Sequence, residues 1–171
     1  MAGWLRAFIS KLYYMKKKIL LLSAITIFLA GAAFAQSQKS QKEMLYSKNA
    51  TLAKNKKIVY DFWREVLEGG HLDLAPKYMQ ETYIQHNPNV PTGRQGFLDF
   101  FGKFAKPRPI VDTIQEHLIN IVAEGDWVVL SFKEQHPDPR DATKKYTTAS
   151  FDMLRIENGK IAEHWDSALK Q

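Results

Sequence analysis

The step Asn158-Gly159, set between two runs in which apolar and polar residues alternate, constrains this chain more than any other stretch. An Asn-Gly pair supplies the positive φ of a tight turn, so Ala149 to Ser167 (ASFDMLRIENGKIAEHWDS) has to fold back as a hairpin. The hairpin carries Asp152, His164 and Asp166 among apolar neighbours, the setting in which proteins tune acid–base groups. Two registers are open. A type I turn at Glu157 and Asn158 with Gly159 as a left-handed bulge pairs Ile156 with Lys160, and puts Asp152 opposite His164 on one face beside Asp166. A strict two-residue turn pairs Met153 with His164 and sends Asp152 to the other face, because a one-residue slip reverses the alternation. The bulged form is the expected one.

The first 35 residues read as an export signal. From Met15, a second start beside Met1, Lys16-Lys17-Lys18 forms a basic region, Ile19 to Leu29 an apolar one, and Ala33-Phe34-Ala35 a cleavage site before Gln36. The apolar run is short for a membrane span. A periplasmic or secreted protein is therefore expected, free of the membrane after cleavage. Residues 1–35 hold five of the 24 basic residues and no acid, so the remainder carries 19 bases against 18 acids, +1 where the whole chain is +6. The basic balance thus reports targeting, and no nucleic-acid partner is expected. With no cysteine, disulfides, thiolate nucleophiles and thiolate metal sites are excluded.

Residues 36–53 are polar and rich in Ser, Gln and Lys, and read as a linker ahead of one domain at 54–171. Ile58, Val59, Phe62, Trp63, Val66 and Leu67 make one helical stripe, ended by Gly69-Gly70, with Phe62 and Trp63 as core. A short helix is expected over His71 to Met79, then an extended piece in which Tyr83, Gln85 and Asn87 alternate with Ile84 and His86. Gly93 to Phe104 (GRQGFLDFFGKF) is a Phe-rich helix that forms a lid or wall. Strands follow at Thr113–Ala123, Trp127–Gln135 and Lys145–Ile156, with a loop from His136 to Asp141. Strands in series after a helical half give an α+β domain, a curved antiparallel sheet wrapped by helices.

Two segments carry a family resemblance. Phe151 through Asp166, an acid, apolar residues, Gly-Lys-Ile and then Glu163-His164-Trp165-Asp166, resembles the end of a SnoaL-like domain, the polyketide-cyclase branch of the nuclear transport factor 2-like superfamily. Tyr83-Ile84-Gln85-His86-Asn87-Pro88, followed by Gly93 and the Phe-rich helix, resembles the same family's middle segment. The resemblance, from roughly Lys54 to Ala168, implies a cone-shaped, cystatin-like roll and a homodimer formed through the sheet. It implies an acid/base at Asp166 and a polar partner at Asp152. The family's better-known cyclases have a His at that partner position, so Asp152 is a departure. It brings the His-Asn-Pro segment to the pocket, which makes His86 a candidate for proton transfer or for orienting a substrate oxygen.

Phosphate loops, paired-His helices and nucleophile elbows are absent from the sequence. Acid–base chemistry without cofactor or metal fits the residues: Asp166, His164, Asp152 and His86 as catalytic candidates, with Tyr83, Gln85, Phe101, Trp127 and Trp165 around a small carbonyl-bearing substrate. The reaction expected is an aldol-type cyclisation, an isomerisation or a lyase step. The competing reading is a non-catalytic module of the same fold that binds a small ligand or dimerises.

Overall fold

The computed structural model describes residues 39–171. The expected signal segment, residues 1–35, lies outside them. The polar stretch expected to be a linker is, from Lys39 onward, part of the folded unit. Ser40 caps helix α1 (Gln41–Met44) in a reciprocal capping box with Glu43, and Met44 is 4% exposed in the core. Gln41 adds a 2.8 Å bond from its amide nitrogen to the Ile114 carbonyl. Polar composition concealed this anchor, because a single buried side chain and a cap suffice to hold one turn.

Asn49 caps helix α2 (Ala50–Phe62), its side chain accepting from Thr51 and Leu52. The helix then widens into a π-helical turn, Trp63–Glu68, closed by the Gly69 amide reaching the Arg64 carbonyl five residues back. Sequence periodicity gives no sign of that change. Gly70 has φ +70°, and a Cβ there would lie 2.5 Å from the Lys106 carbonyl oxygen, so glycine is required for this close approach. A 3₁₀ turn (Leu72–Leu74) leads into α3 (Ala75–Tyr78), with no side-chain cap from Asp73. Strand β1 (Met79–Gln85) and helix α4 (Arg94–Phe101) follow.

Strands β2 (Leu118–Glu124), β3 (Trp127–Asp138), β4 (Asp141–Glu157) and β5 (Lys160–Trp165) form antiparallel neighbours in a five-stranded sheet of order β1-β5-β4-β3-β2. The edge strand departs from the expected all-antiparallel sheet: β1 runs parallel to β5. More than 70 residues separate the two, so no hairpin dictates their relative direction. Residues 136–141, expected to be a loop, are mostly paired, with His136 opposite Tyr146 and Pro137 opposite Lys145, which lengthens β3 and β4 into an arm.

Both positive-φ residues, Asn158 (53°) and Gly159 (74°), occupy the turn itself, so Glu157 pairs with Lys160 and Ile156 with Ile161, as in the strict two-residue form. One residue later the register slips: Arg155 pairs with Glu163 and Leu154 with His164. Ala162 is thus a β-bulge that restores the parity the tip had reversed. Asp152 shares a face with His164 and Asp166 as expected, by a different construction.

The inner row of the sheet, Leu118, Ile121, Val128, Leu130, Phe132, Leu154, Ile156 and Ile161, is at most 4% exposed and packs against Val59, Phe62 and Val66. Each such side chain contributes roughly 1.5–3 kcal/mol by leaving water. This is the α+β roll expected, with helices covering one face of a curved sheet. We predict that Met44→Ala lowers the unfolding free energy by about 2–5 kcal/mol in urea titration. A change within about 0.5 kcal/mol, as for a surface site, would mean that residues 40–49 hold nothing.

Candidate active site

Strand parity decides what reaches the covered face. On β4, Asp152 continues the inward row of Ile156 and Leu154, cross-strand from Leu130. On β5 the bulge turns His164 inward, and the chain leaves the strand with Asp166 on the same side. Parallel pairing sets Gln85 beside His164 and brings Tyr83, Gln85 and Asn87 inward from β1. These six residues form the polar wall of a cavity of about 620 Å³. Its remaining wall is largely apolar: Phe62, Trp63 and Val66 from α2 and the π turn, and Phe97 and Phe101 from α4.

His164 Nε2 lies 2.9 Å from Asp152 Oδ1, with the two side chains 12% and 17% exposed. His164 Nδ1 lies 2.8 Å from Gln85 Oε1. Asp166 accepts from Asn87 Nδ2 at 2.7 Å and from the Ala168 amide at 2.9 Å. Gln85 Nε2 donates to the Tyr83 hydroxyl at 2.9 Å. Burial first, then the charges of Asp166 and Asp152, push the Tyr83 phenol far above its usual value, so it remains protonated.

Of the residues singled out in the sequence, Asp152, His164, Asp166, Tyr83, Gln85 and Phe101 meet at this cavity. His86, Trp165 and Trp127 do not. Ile84 and His86 point to the outer face because Tyr83 and Gln85 point inward. There His86 stacks on Trp165 with centroids 3.4 Å apart, and both donate to Glu163, which also accepts from Arg155. The Arg155 bond is the main reason that Glu163 sits below the ordinary carboxylate range. Trp127 begins β3 opposite Arg155, away from the cavity. His86 and Trp165 thus belong to a surface cluster.

Sequence reasoning passed over Asn87, which the alternation from Tyr83 and Gln85 could have added. It kept Trp63 for the core alone, whereas the indole stacks on Phe132 at 4.7 Å and also lines the cavity. It did not find Glu68 and Glu116. Glu68 lies at the end of the π turn, and its carboxylate accepts from the Gln115 and Glu116 amides at 2.9–3.0 Å, pinning the strand entry to the helix. Glu116 then faces the cavity. Water reaches this residue, yet the protein around the carboxyl, and next the charge of Glu68, raise it above its ordinary 4.5. The Trp63 indole works against that rise without reaching normal hydrogen-bond geometry.

Among the described residues, the ligand atoms of Asp152, His164 and Asp166 all lie within 4.8 Å of one another, the spacing a cation would use. Both His164 nitrogens and both Asp166 oxygens already make hydrogen bonds that a metal would have to displace.

A curved sheet with a covered face, opening on a cavity whose polar wall holds Asp152, Asp166 and an imidazole and whose margin adds Glu68 and Glu116, defines a small α+β pocket domain. Residues 57–168 match the model of the SnoaL-like polyketide cyclases, and the chain belongs to that family. No curated protein matches it in sequence. Among solved structures it is similar to a candidate polyketide cyclase from Acidithiobacillus ferrooxidans, with 20% identity over 71% of this chain and 89% of that one at a TM-score of 0.49. A candidate polyketide cyclase from Bacillus cereus is 25% identical over 75% and 77% of the two chains, at 0.43. An epoxide hydrolase of Mycobacterium tuberculosis is 11% identical over 68% and 83%, at 0.46.

The raised Glu116 carboxyl gives a prediction of definite sign. The fold disfavours its charged form, so its cost to stability is absent below 4.5 and grows as pH rises through the raised folded value. Glu116→Gln should therefore match wild type in urea unfolding at about pH 4 and be the more stable protein at about pH 7. Equal stability at both would show that the carboxyl is not desolvated.

Proposed function

We propose that this protein is an exported enzyme that catalyses cofactor-independent acid–base chemistry on a small carbonyl-bearing molecule, an aldol-type cyclisation, an isomerisation or a lyase step. The observation that carries this reading is the convergence of Asp152, His164 and Asp166 within 4.8 Å on the wall of an apolar cavity, beside a buried and protonated Tyr83. Family membership supports the reaction class but names no substrate.

In this reading the Asp166 carboxylate takes a proton from the carbon next to the carbonyl. The C–H electron pair becomes the new C=C bond, and the carbonyl π pair moves onto oxygen. Tyr83 donates its hydroxyl hydrogen to that oxygen as charge develops. The enolate pair then forms a bond to the Asp166 proton at a different carbon in an isomerisation, attacks a second carbonyl carbon whose oxygen takes that proton in an aldol closure, or expels a leaving group that takes it in a lyase step. Asp166 is again a carboxylate. Asn87 and the Ala168 amide hold Asp166 in place through two neutral donors. His164 pairs with Asp152 and offsets the second carboxylate, which answers the difficulty of two acids in one pocket.

The test is a thermal-shift screen of small ketones and polycyclic carbonyl compounds against the protein, followed by turnover assays on the hits. A ligand at a hundred times its dissociation constant adds about 2.7 kcal/mol of stability. Asp166→Asn should keep binding and lose turnover by about 10²–10⁴-fold, and Tyr83→Phe by about 10²–10³-fold. Hits that bind and are never turned over by wild type would make this a binding module. Turnover unchanged in Asp166→Asn would remove Asp166 as the base.

A further inference from the structure

The amide of Gln85 sits at the centre of the polar wall. Its Oε1 is 2.9 Å from the backbone nitrogen of Asn87 and 2.8 Å from His164 Nδ1, and its Nε2 is 2.9 Å from the Tyr83 hydroxyl. Amide oxygen and nitrogen are assigned from their partners, and here one partner leaves no choice. The Asn87 backbone N–H can only donate, so the Gln85 oxygen must face it.

Two proton positions follow from that orientation. His164 Nδ1 shares the same amide oxygen, which has no hydrogen to give, so Nδ1 itself must carry one. The other ring nitrogen, Nε2, faces Asp152 Oδ1 at 2.9 Å, and a hydrogen bond there needs a proton between them. Imidazolium with carboxylate, or imidazole with carboxylic acid, the pair then holds one proton on that line and has no net charge. On its other side, Gln85 Nε2 donates to the Tyr83 oxygen, so the phenol hydrogen points away from Gln85. Among the described residues no protein acceptor lies within hydrogen-bond range of it, and the ring lines the cavity.

We propose that Gln85 is a positioning residue: its oxygen fixes the hydrogen on His164 Nδ1, and its nitrogen frees the Tyr83 hydroxyl hydrogen for the cavity. The residue expected from sequence to bind substrate thus uses both ends of its amide inside the protein. Of Asp152, His164 and Asp166, only Asp166 is then left without a charged partner, and the Tyr83 hydroxyl keeps a hydrogen to give on the same wall. The inference rests on the catalytic reading above for its purpose, while the proton positions themselves stand without it.

The proton positions can be tested without a known substrate, and the turnover comparisons use a hit from the screen above. In full-chain protein labelled with ¹⁵N, long-range proton–nitrogen correlations report which imidazole nitrogens carry hydrogen, with His164 identified by its loss in His164→Asn. The expected wild-type result is a hydrogen on Nδ1 of His164. Gln85→Glu keeps an acceptor at that place, so the Nδ1 hydrogen persists. Its carboxylate has no hydrogen to give Tyr83, however, so the phenol turns to donate to residue 85. Gln85→Glu should then lower turnover about as much as Tyr83→Phe, about 10²–10³-fold, with no further loss in the double variant. Gln85→Leu removes the acceptor and should shift the His164 hydrogen. A bare Nδ1 in wild type overturns the proposal, as does a folded Gln85→Leu protein with unchanged imidazole nitrogens. Should Gln85→Leu not fold, wild type and Gln85→Glu decide. A protonated Nδ1 together with undiminished turnover in Asp166→Asn would leave the positioning role standing and refute the catalytic reading.

Discussion

One extra residue at Ala162 holds this site together. The Asn158-Gly159 turn alone would leave Asp152 and His164 on opposite faces of the sheet, one among apolar side chains and the other in water. The bulge shifts β5 by one position against β4, so the tip obeys the backbone preferences of Asn and Gly while the strand beyond obeys the site. Ile161 and Ala162 are both buried, which anchors the bulge from the core side. Without that shift, His164 and Asp166 would face outward where His86 and Trp165 now stack.

The edge strand completes what the bulge begins. Because β1 runs parallel to β5, Gln85 lies beside His164 in register, and the next inward residue, Asn87, reaches Asp166. Alternation along a single seven-residue strand and its exit thus delivers three side chains: a phenol, an amide bonded to His164 and Tyr83, and an amide that holds Asp166. The opposite parity sends Ile84 and His86 outward to the Glu163 cluster. Tyr83, Gln85 and Asn87 each meet a partner within the wall, which is how polar residues survive among rings and aliphatic side chains.

The helical layer supplies the cavity's other boundary. The π turn at Trp63–Glu68 widens the helix where it passes over the sheet, and Glu68 at its end binds the amides that open β2. Gly70 lets the chain pass against Lys106, and the aromatic side chains of α4 close the apolar wall. The result is a cavity with Asp152, His164 and Asp166 along the sheet side and rings, with Glu116 among its other lining residues, around the rest, a setting in which charge interactions exceed their strength in water.

Much of this was legible in the residues themselves. The hairpin, the α2 stripe ending at Gly69-Gly70, the Phe-rich α4 and the strand series come from local rules, turn chemistry and side-chain periodicity that act within a few residues. Those rules also placed Asp152, His164 and Asp166 together, although through the wrong turn. They could not give the bulge, the π turn, the parallel edge or the anchoring of Met44, because each is selected by contacts between segments far apart in the chain. His86, Trp165 and Trp127 were misplaced for the same reason: residue type marks a side chain as able to act, and only strand parity against a covered face decides whether it meets the cavity. The sequence by itself determined the inventory of acids, donors and rings and the elements that carry them. The tertiary structure decided their facing and the direction of each hydrogen bond, since those depend on register, which is set by packing over the whole sheet.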